Sequence, residues 1–502
     1  MELDFRSMSR LPLKDLALRK VAALLCSHPT MHAHAAVVAL QLNRDAEVDA
    51  LCEFFKNAVT TLSLPATISE DLVIVMQSVF KEILKWLVVN REILEPDELN
   101  LDNPENLKHI HWTPLGTVEF RETAAALVRH GKLSIMQRYK LACLYCLEDD
   151  VRDLWRMIPP RRKGSFYDNS KAWKVGLRKM VVIWTYTIKR QTNDVGSILE
   201  FIQERGHFSF NQLAFESAAV QGYFPATQYF FEKLTFAERE ESLLRTARDV
   251  IQQRVATEWC PYHEALGLSD VLCFLFSVMP ADQVKEVLKE KPCKTLQCFF
   301  YWPRQDLSGR VAEWALPHAE ERDFGGLLFV LARRHSFIYN FEKVFRDIFR
   351  VTPSNLRNYI ASMFQLYVQD LLNFEDTITI KFLLRTLNAS ELNQLVSGDV
   401  AELRCHKTKD DKWDFFARFV NDARLSREEK MKFASFFISH FDSLLDLESR
   451  QRFLKFVEDL VPVVSESNQV DESHSAEESD EALTKRLVKK RKRTRRGRSK
   501  RH

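Results

Sequence analysis

Six helix-breaking positions recur through the second half of the chain at intervals of 36 or 37 residues. They are Pro280, Pro317, Pro353, Ala389, Ser426 and Pro462, and each ends an apolar stretch. Proline ends the preceding helix and is tolerated in the first turn of the next, and serine caps helix starts. A repeat of this length fits one antiparallel helix pair, which buries its apolar face by stacking on neighbouring pairs. The spacing predicts an all-α chain, an α-solenoid of stacked helical hairpins.

An irregular helical protein whose helices happen to be similar in length is the alternative that this spacing leaves open. Composition favours helices in both cases, because glycine accounts for only 13 of 502 residues, phenylalanine for 36 and apolar residues for 46%. The glycine content lies well below the average of roughly 7%. Folds that need glycine-rich phosphate loops or many tight hairpins are therefore disfavoured.

The stretch from 201 to 234 has the pattern of one helical hairpin. Ala218, Ala219 and Gly222 stand where a helix ends in a tight reversal, and the aromatic residues 229–231 lie on the helix that follows. The arrangement A-A-x-x-G-Y-x-x-A-x-x-Y-F-F-E-K resembles the helix pair of an ankyrin repeat. This resemblance implies a stack of helical repeats that binds partners. No T-P-L-H precedes the alanines, which leaves open whether the long ankyrin loops exist.

The same pattern occurs 75 residues earlier, in the stretch from 127 to 158. The shift places Ser209 on Ser134 and Phe230 on Trp155. Seventy-five residues are about two periods, so we expect two hairpins of the same design separated by one further unit.

The predicted domain order has four parts. An N-terminal helical module covers 1–92, and a connector with three prolines covers 93–119. The helical-repeat array, with a period of about 36–37 and ankyrin-like hairpins, covers 120–465. An acidic and then basic tail covers 466–502.

Three amphipathic stretches predict helices in the N-terminal module, at 11–26, about 37–62 and 69–89, with Ser69 as the N-cap of the third. The stripe of the first helix that we expect to face the core consists of Leu13, Leu16, Ala17, Lys20, Val21, Leu24 and Leu25.

The first helix also carries a spacing that resembles the elongin-binding box of ubiquitin-ligase adaptors. Pro12, Leu13, Ala17 and Val21 follow its order of proline, leucine, small and aliphatic residues. The resemblance implies an adaptor that would recruit a ligase through this helix. An ordinary amphipathic core helix is the competing explanation.

The last 18 residues, 485–502, contain twelve Lys and Arg and no acid. The whole chain has a formal charge of +3, so the remaining residues carry −9 and the body is not a polycation. The preceding stretch, 463–481, has seven acids, five serines and little to bury. Because such segments do not fold alone, we expect a disordered tail.

Three interpretations of this basic run stay open. The cluster at 489–493 is typical of sequences that nuclear import receptors bind. The same cations could bind nucleic acid without reading its sequence, since no aromatic residue of the run can stack on bases. A solvated tail without a specific role is the third. The residues concerned are Lys485, Arg486, Lys489, Lys490, Arg491, Lys492, Arg493, Arg495 and Arg496.

Ser475 and Ser479 lie beside acids and are candidate phosphorylation sites. Negative charge added there would weaken anion binding by the neighbouring basic run.

Residues with catalytic or metal-binding potential have structural explanations. Cys143 and Cys146 form a C-x-x-C, which we expect to be a pair of buried thiols on one helix face, because no second ligand pair accompanies them. The nine cysteines form no dense framework, which favours reduced thiols in a cytosolic or nuclear compartment. The remaining candidates are His28, His32 and His34 as exposed turn residues, Glu148, Asp149 and Asp150 at a helix N-terminus, and the pair Cys260 and His263.

No G-x-x-x-x-G-K, G-x-S-x-G or H-E-x-x-H sequence occurs, and we expect no enzymatic activity, cofactor or metal. The longest apolar run, Val271–Met279, is far shorter than the about 20 residues of a membrane helix, so no membrane partner is expected. The sequence favours a scaffold that binds protein partners on the concave face of its array and reaches the nucleus through an import receptor. The alternatives are a chromatin- or RNA-associated protein that binds nucleic acid through its tail, and the ubiquitin-ligase adaptor.

Overall fold

The computed structural model describes residues 11–32, 35, 45–91, 107–130, 132–166, 176–190, 209–256, 263–333, 341–357, 379 and 382. All of them lie in one compact unit that comprises residues 1–424. A second unit, residues 425–502, contains none of the described residues.

The prediction of an all-α chain is confirmed over these ranges. The only β pairing among the described residues is a single antiparallel bridge between Trp112 and Val118. The helices are α1 Leu13–Cys26, α2 Asp45–Thr60, α3 Ala66–Arg91, α4 Phe120–His130, α5 Ile135–Leu144, α6 Glu148–Met157, α7 Pro160–Lys163, α8 Gly176–Lys189, α9 Phe210–Val220, α10 Phe224–Lys233, α11 Phe236–Ala256, α12 His263–Val278, α13 Ala281–Glu290, α14 Pro292–Gln297, α15 Ser308–Ala315, α16 Glu321–Arg333 and α17 Phe341–Val351.

The helices pack mostly on their neighbours along the chain. Helix α5 contacts α4, α6 and α8, while α11 contacts α9, α12, α13 and α14, and α15 contacts α14 and α17. At the N-terminal end, α1 and α2 pack on α3, which also contacts α12. The domain limits at 92, 119 and 465 stay predictions.

Two hairpins, α5–α6 and α9–α10, begin in the same way 75 residues apart. In each, the N-cap serine accepts a hydrogen bond from the backbone N–H of a glutamine three residues later, whose side chain accepts one from the serine N–H. These reciprocal bonds join Ser134 to Gln137 and Ser209 to Gln212, and satisfy backbone donors that a helix start leaves unpaired. Both predicted hairpins are present in the described ranges, while residues 201–208 lie outside them.

The reversals inside the two hairpins also have the same geometry. Cys146 in the first and Gly222 in the second have positive φ angles of 51° and 75°. The residues that follow, Leu147 and Tyr223, each donate a backbone hydrogen bond of 2.9 Å to the carbonyl five residues earlier. This is the Schellman arrangement, in which a left-handed residue ends the helix and glycine is the usual choice. The offset becomes 76 because α9 is one residue longer than α5.

The three helix breaks predicted within the described ranges are confirmed. Pro280 directly precedes α13, Pro317 lies in a 3₁₀ turn between α15 and α16, and Pro353 follows the end of α17. One predicted start is wrong, because α3 begins at Ala66 behind Pro65 and Ser69 lies inside it. The breaks predicted at Ala389, Ser426 and Pro462 lie outside the described residues.

Candidate interaction surfaces

The basic run of the tail and the candidate phosphorylation sites Ser475 and Ser479 lie outside the described residues. The import and nucleic-acid roles of residues 485–496 therefore stay predictions from sequence.

Helix α1 turns its predicted core stripe outward. Leu13 is 83% exposed and Leu24 62% exposed, and no residue of the predicted stripe is buried. The expectation that this stripe faces the core is wrong. Of the residues that resemble an elongin-binding box, Pro12, Leu13 and Ala17 are exposed and Val21 is half-buried.

The opposite face of α1 is buried, and a cation anchors it. This face comprises Leu18, Arg19, Ala22, Ala23 and Cys26. The Arg19 guanidinium donates hydrogen bonds to the Asp306 carboxylate at 3.0 Å and to the Leu115 carbonyl at 3.2 Å, and lies 4.1 Å from the centre of the Trp302 ring. An arginine whose charge is satisfied by distant residues looks polar in the sequence, so periodicity assigns the face containing it to solvent.

A second buried charge cluster joins α3 to α12 and to the loop after α14. The Lys85 ammonium lies 3.9 Å from the Glu82 carboxylate and 3.5 Å from that of Asp270, which also accepts a hydrogen bond of 3.1 Å from Arg304. We call Glu82, Lys85, Asp270 and Arg304 the buried charge cluster. Its two cations and two anions balance, which makes their burial tolerable.

Burial has a large effect on protonation in this cluster. It raises the pKa of Glu82, which is 3% exposed, to about 7, although Lys85 opposes the shift. Burial alone would lower the pKa of Lys85, but attraction to Glu82 and Asp270 outweighs this and raises it. Lys85 is therefore a permanent cation at neutral pH, whereas Glu82 titrates there.

The C-x-x-C residues are buried free thiols, as expected. Burial raises the pKa of Cys146 to about 12 and that of Cys143 well above its ordinary value. Because the thiolate is the reactive and metal-binding form, both are poor nucleophiles and ligands. The two do not share a helix face, however, because Cys146 occupies the left-handed turn after α5.

His32 is not the exposed turn residue that we expected. Its side chain is 1% exposed, and burial, followed by repulsion from His28 and Lys108, lowers its pKa to about 4. His28 is exposed as predicted, and His34 and Cys260 lie outside the described residues. No group of three metal-ligating side chains occurs in the part of the chain that the structure describes.

The acids between the helices of the first hairpin occupy the first turn of α6, as predicted, where the helix dipole favours them. Glu148 also reaches the second hairpin, because the Tyr229 hydroxyl donates to it a hydrogen bond of 2.5 Å. These acids have structural partners. Asp150, for example, accepts a hydrogen bond of 2.9 Å from Arg129.

Replacing Leu13 with serine is expected to change the free energy of unfolding by less than about 0.5 kcal/mol, because an exposed side chain buries little area on folding. Chemical denaturation of the two proteins measures the difference. Ala22→Ser, on the buried face of the same helix, is the matched control and should be the more destabilising change. If Leu13→Ser lowered the free energy of unfolding by as much as Ala22→Ser, the exposed position of the stripe would be contradicted.

No family model matches this sequence, and no curated protein was found to be significantly similar to it. None of the described helices is long and apolar enough to cross a membrane.

Proposed function

We propose that this protein is a non-enzymatic scaffold, in which stacked helical hairpins form an array that binds a protein partner. The observation that carries the proposal is the recurrence of one hairpin design, with its capping box and its left-handed turn, at an offset of 75 or 76 residues. Repeat arrays of this kind present extended surfaces for partners and need no cofactor. The ankyrin-like character of the hairpins is part of this proposal.

The contacts between the two hairpins support stacking. Helix α8 lies next to α5, and its Thr185 is 3.1 Å from the Tyr139 hydroxyl. Helix α8 also contacts α10 of the second hairpin, because the ring of its Trp184 lies 5.5 Å from the Tyr229 ring and 6.4 Å from the Phe230 ring. Aromatic pairs at such distances add to the burial of the large side chains themselves. Helix α8 thus contacts both hairpins, which supports the proposed stacking.

The scaffold would reach the nucleus through its basic run. Deleting residues 485–502 is expected to abolish nuclear accumulation of the protein, because the import cluster at 489–493 is then lost. Fluorescence microscopy of a tagged full chain and of the deletion measures this, and affinity capture with both shows whether the protein partners of the body are retained.

Retained partners together with lost nuclear accumulation support the scaffold. If the deletion instead leaves localisation unchanged and removes salt-sensitive nucleic-acid binding, the chromatin- or RNA-associated alternative replaces it. A full chain that captures no partner above the level of a tag control would contradict the scaffold itself.

Exposure of Pro12 and Leu13 favours a second candidate, the ubiquitin-ligase adaptor. An adaptor needs these side chains accessible on α1, and the buried Arg19 face fixes the helix so that they point away from the core. Recovery of elongin with the full chain, compared between the unchanged protein and Leu13→Ser, tests this candidate. Equal recovery of elongin with the two proteins would exclude the adaptor function.

A further inference from the structure

Exposed apolar side chains are concentrated in the segment from α1 through α3. This segment holds five of the eight large apolar side chains that are exposed in the described part of the chain, and the other three are spread over residues 107–357. Isolated exposed apolar residues are ordinary, whereas a concentration of them marks a site of interaction. The five are Leu13, Leu24, Leu62, Leu64 and Ile74.

The side of α1 that faces away from the core forms one row. We call its residues the outer face of α1, and they are Leu13, Ala17, Lys20, Val21 and Leu24. Val21 is half-buried and the other four are exposed. Their spacing of three and four residues places them on one side of the helix, opposite its buried face. Rows with this spacing fit between the side chains of a second helix, so the shape of the site favours a helical partner.

Helix α3 extends this surface beyond α1. The two helices pack on each other, and at their border the Lys14 ammonium lies 2.6 Å from the Asp71 carboxylate. Ile74, three residues after Asp71, lies on the same side of α3 and is 45% exposed. We therefore expect a helix that binds along α1 to lie beside α3 as well.

One cation interrupts the apolar row and determines the chemistry of the partner. Lys20 is exposed, and within the described residues it takes part in no hydrogen bond or ion pair, whereas Lys14 is paired with Asp71. A partner that covers the row removes water from the Lys20 ammonium, which costs free energy unless an anion replaces that water. The partner must therefore present a carboxylate opposite Lys20.

The same cation argues against two other occupants of the outer face. If two copies of the chain paired through α1, a two-fold axis would bring Lys20, near the centre of the row, close to Lys20 of the second copy. On a lipid surface, Lys20 would lie in the middle of the side that enters the apolar layer, whereas helices that lie on membranes carry their cations on the polar face. A protein partner with an acidic residue avoids both costs.

We propose that the outer face of α1 binds an amphipathic helix of a protein partner, with a carboxylate of that helix paired to Lys20. Apolar side chains at intervals of three and four residues supply the affinity of such complexes, and the charge pair fixes the register. The site lies outside the proposed array at 120–465 and adds a second binding surface to the scaffold. It depends neither on the array nor on elongin, so each of these proposals can fail alone.

The test measures, by fluorescence anisotropy, binding of the full chain to two synthetic amphipathic helices of about 20 residues. The peptides share one row of leucines and differ only beside it, where one carries glutamates and the other lysines. Replacing Lys20 with glutamate should shift the ratio of the two dissociation constants by about tenfold or more in favour of the lysine peptide. Both proteins keep the basic run of the tail, so its attraction for the glutamate peptide cancels in this comparison.

A second variant tests the apolar part of the site. Leu13→Ser with Leu24→Ser should weaken binding of the glutamate peptide by about tenfold or more, because two apolar contacts of the row are lost. The matched control, Met157→Ser with Phe236→Ser, removes two side chains that are similarly exposed, at 61% and 75%, and should leave the affinity unchanged.

Failure of both peptides to bind would overturn the proposal, as would an unchanged ratio in Lys20→Glu or an equal loss of affinity in the control. Sedimentation that shows a dimer, dissociated by Leu13→Ser with Leu24→Ser, would overturn it in favour of a second copy. If the double serine variant loses its helical circular dichroism, Lys20→Glu decides alone, since it changes one exposed charge.

Discussion

Replacing Gly267 with alanine is expected to destabilise the protein by about 3 kcal/mol. A Cβ atom on Gly267, in α12, would lie 2.3 Å from the carbonyl oxygen of Gly222, in the turn of the second hairpin. Both partners in this clash belong to the backbone, so no side-chain rotation relieves it. Gly222 has little room to move, because its own added Cβ would lie 3.0 Å from the Leu268 nitrogen. Two glycines therefore allow the hairpin turn to meet α12 closely.

Gly326→Ala is the matched control, since Gly326 also lies within a helix, α16, but an added Cβ meets nothing within 4 Å. Alanine there should stabilise the protein by about 0.5 to 1 kcal/mol, because glycine loses more backbone entropy on folding. Urea denaturation of the three proteins measures both effects. If Gly267→Ala were as stable as Gly326→Ala, the close contact between the turn and α12 would be wrong.

Replacing Lys85 with methionine is expected to cost about 3 to 5 kcal/mol above pH 7, because it leaves the buried Glu82 carboxylate without its nearest cation. Methionine preserves most of the apolar stem of lysine, so the loss in free energy of unfolding reflects the missing charge and not a change in side-chain volume. Arg304 already pairs with Asp270 and compensates Glu82 only in part. Denaturation at about pH 8 measures the loss. At about pH 6 the loss should be smaller, because protonated Glu82 no longer needs a partner.

Glu82→Gln provides the control for this pH dependence. A carboxyl group with a folded-state pKa of about 7, against an ordinary value of 4.5, holds its proton longer in the folded than in the unfolded chain. Its contribution to stability is full below about pH 4.5 and is lost as pH rises to about 7, by up to about 3 kcal/mol. Glutamine does not titrate, so this decline should be missing in Glu82→Gln. The same decline in both proteins would show that Glu82 is not its source.

The sequence pattern predicted the features that depend on neighbouring residues. The reversal at Gly222 and the helix breaks at Pro280 and Pro317 follow from local backbone chemistry, and all are confirmed. Each of these features is determined by residues a few positions apart in the chain, so the spacing of those residues can be recognised in the sequence.

The features that depend on distant residues could not be predicted in this way. Arg19 is buried because Leu115 and Asp306 satisfy it, nearly 100 and nearly 300 residues further along the chain. Helix α1 has apolar residues on two faces, so periodicity alone could not decide which face is buried. The buried charge cluster could not be predicted for the same reason, since no short-range pattern marks a polar residue that finds its partners through the fold. His32 is buried with no hydrogen-bond partner among the described residues at either ring nitrogen, so nothing local in the sequence indicates its burial.

In the proposed array, hairpins of about 36 or 37 residues continue one after another through residue 465, each covering apolar surface of the next. Hydrogen exchange of the full chain, read peptide by peptide by mass spectrometry, is the decisive test of this arrangement. We expect slowly exchanging segments interrupted by fast exchange at Ala389, Ser426 and Pro462, in phase with Pro280, Pro317 and Pro353. Slow exchange that runs unbroken across Ala389 and Ser426, or fast exchange throughout residues 358–465, would contradict it.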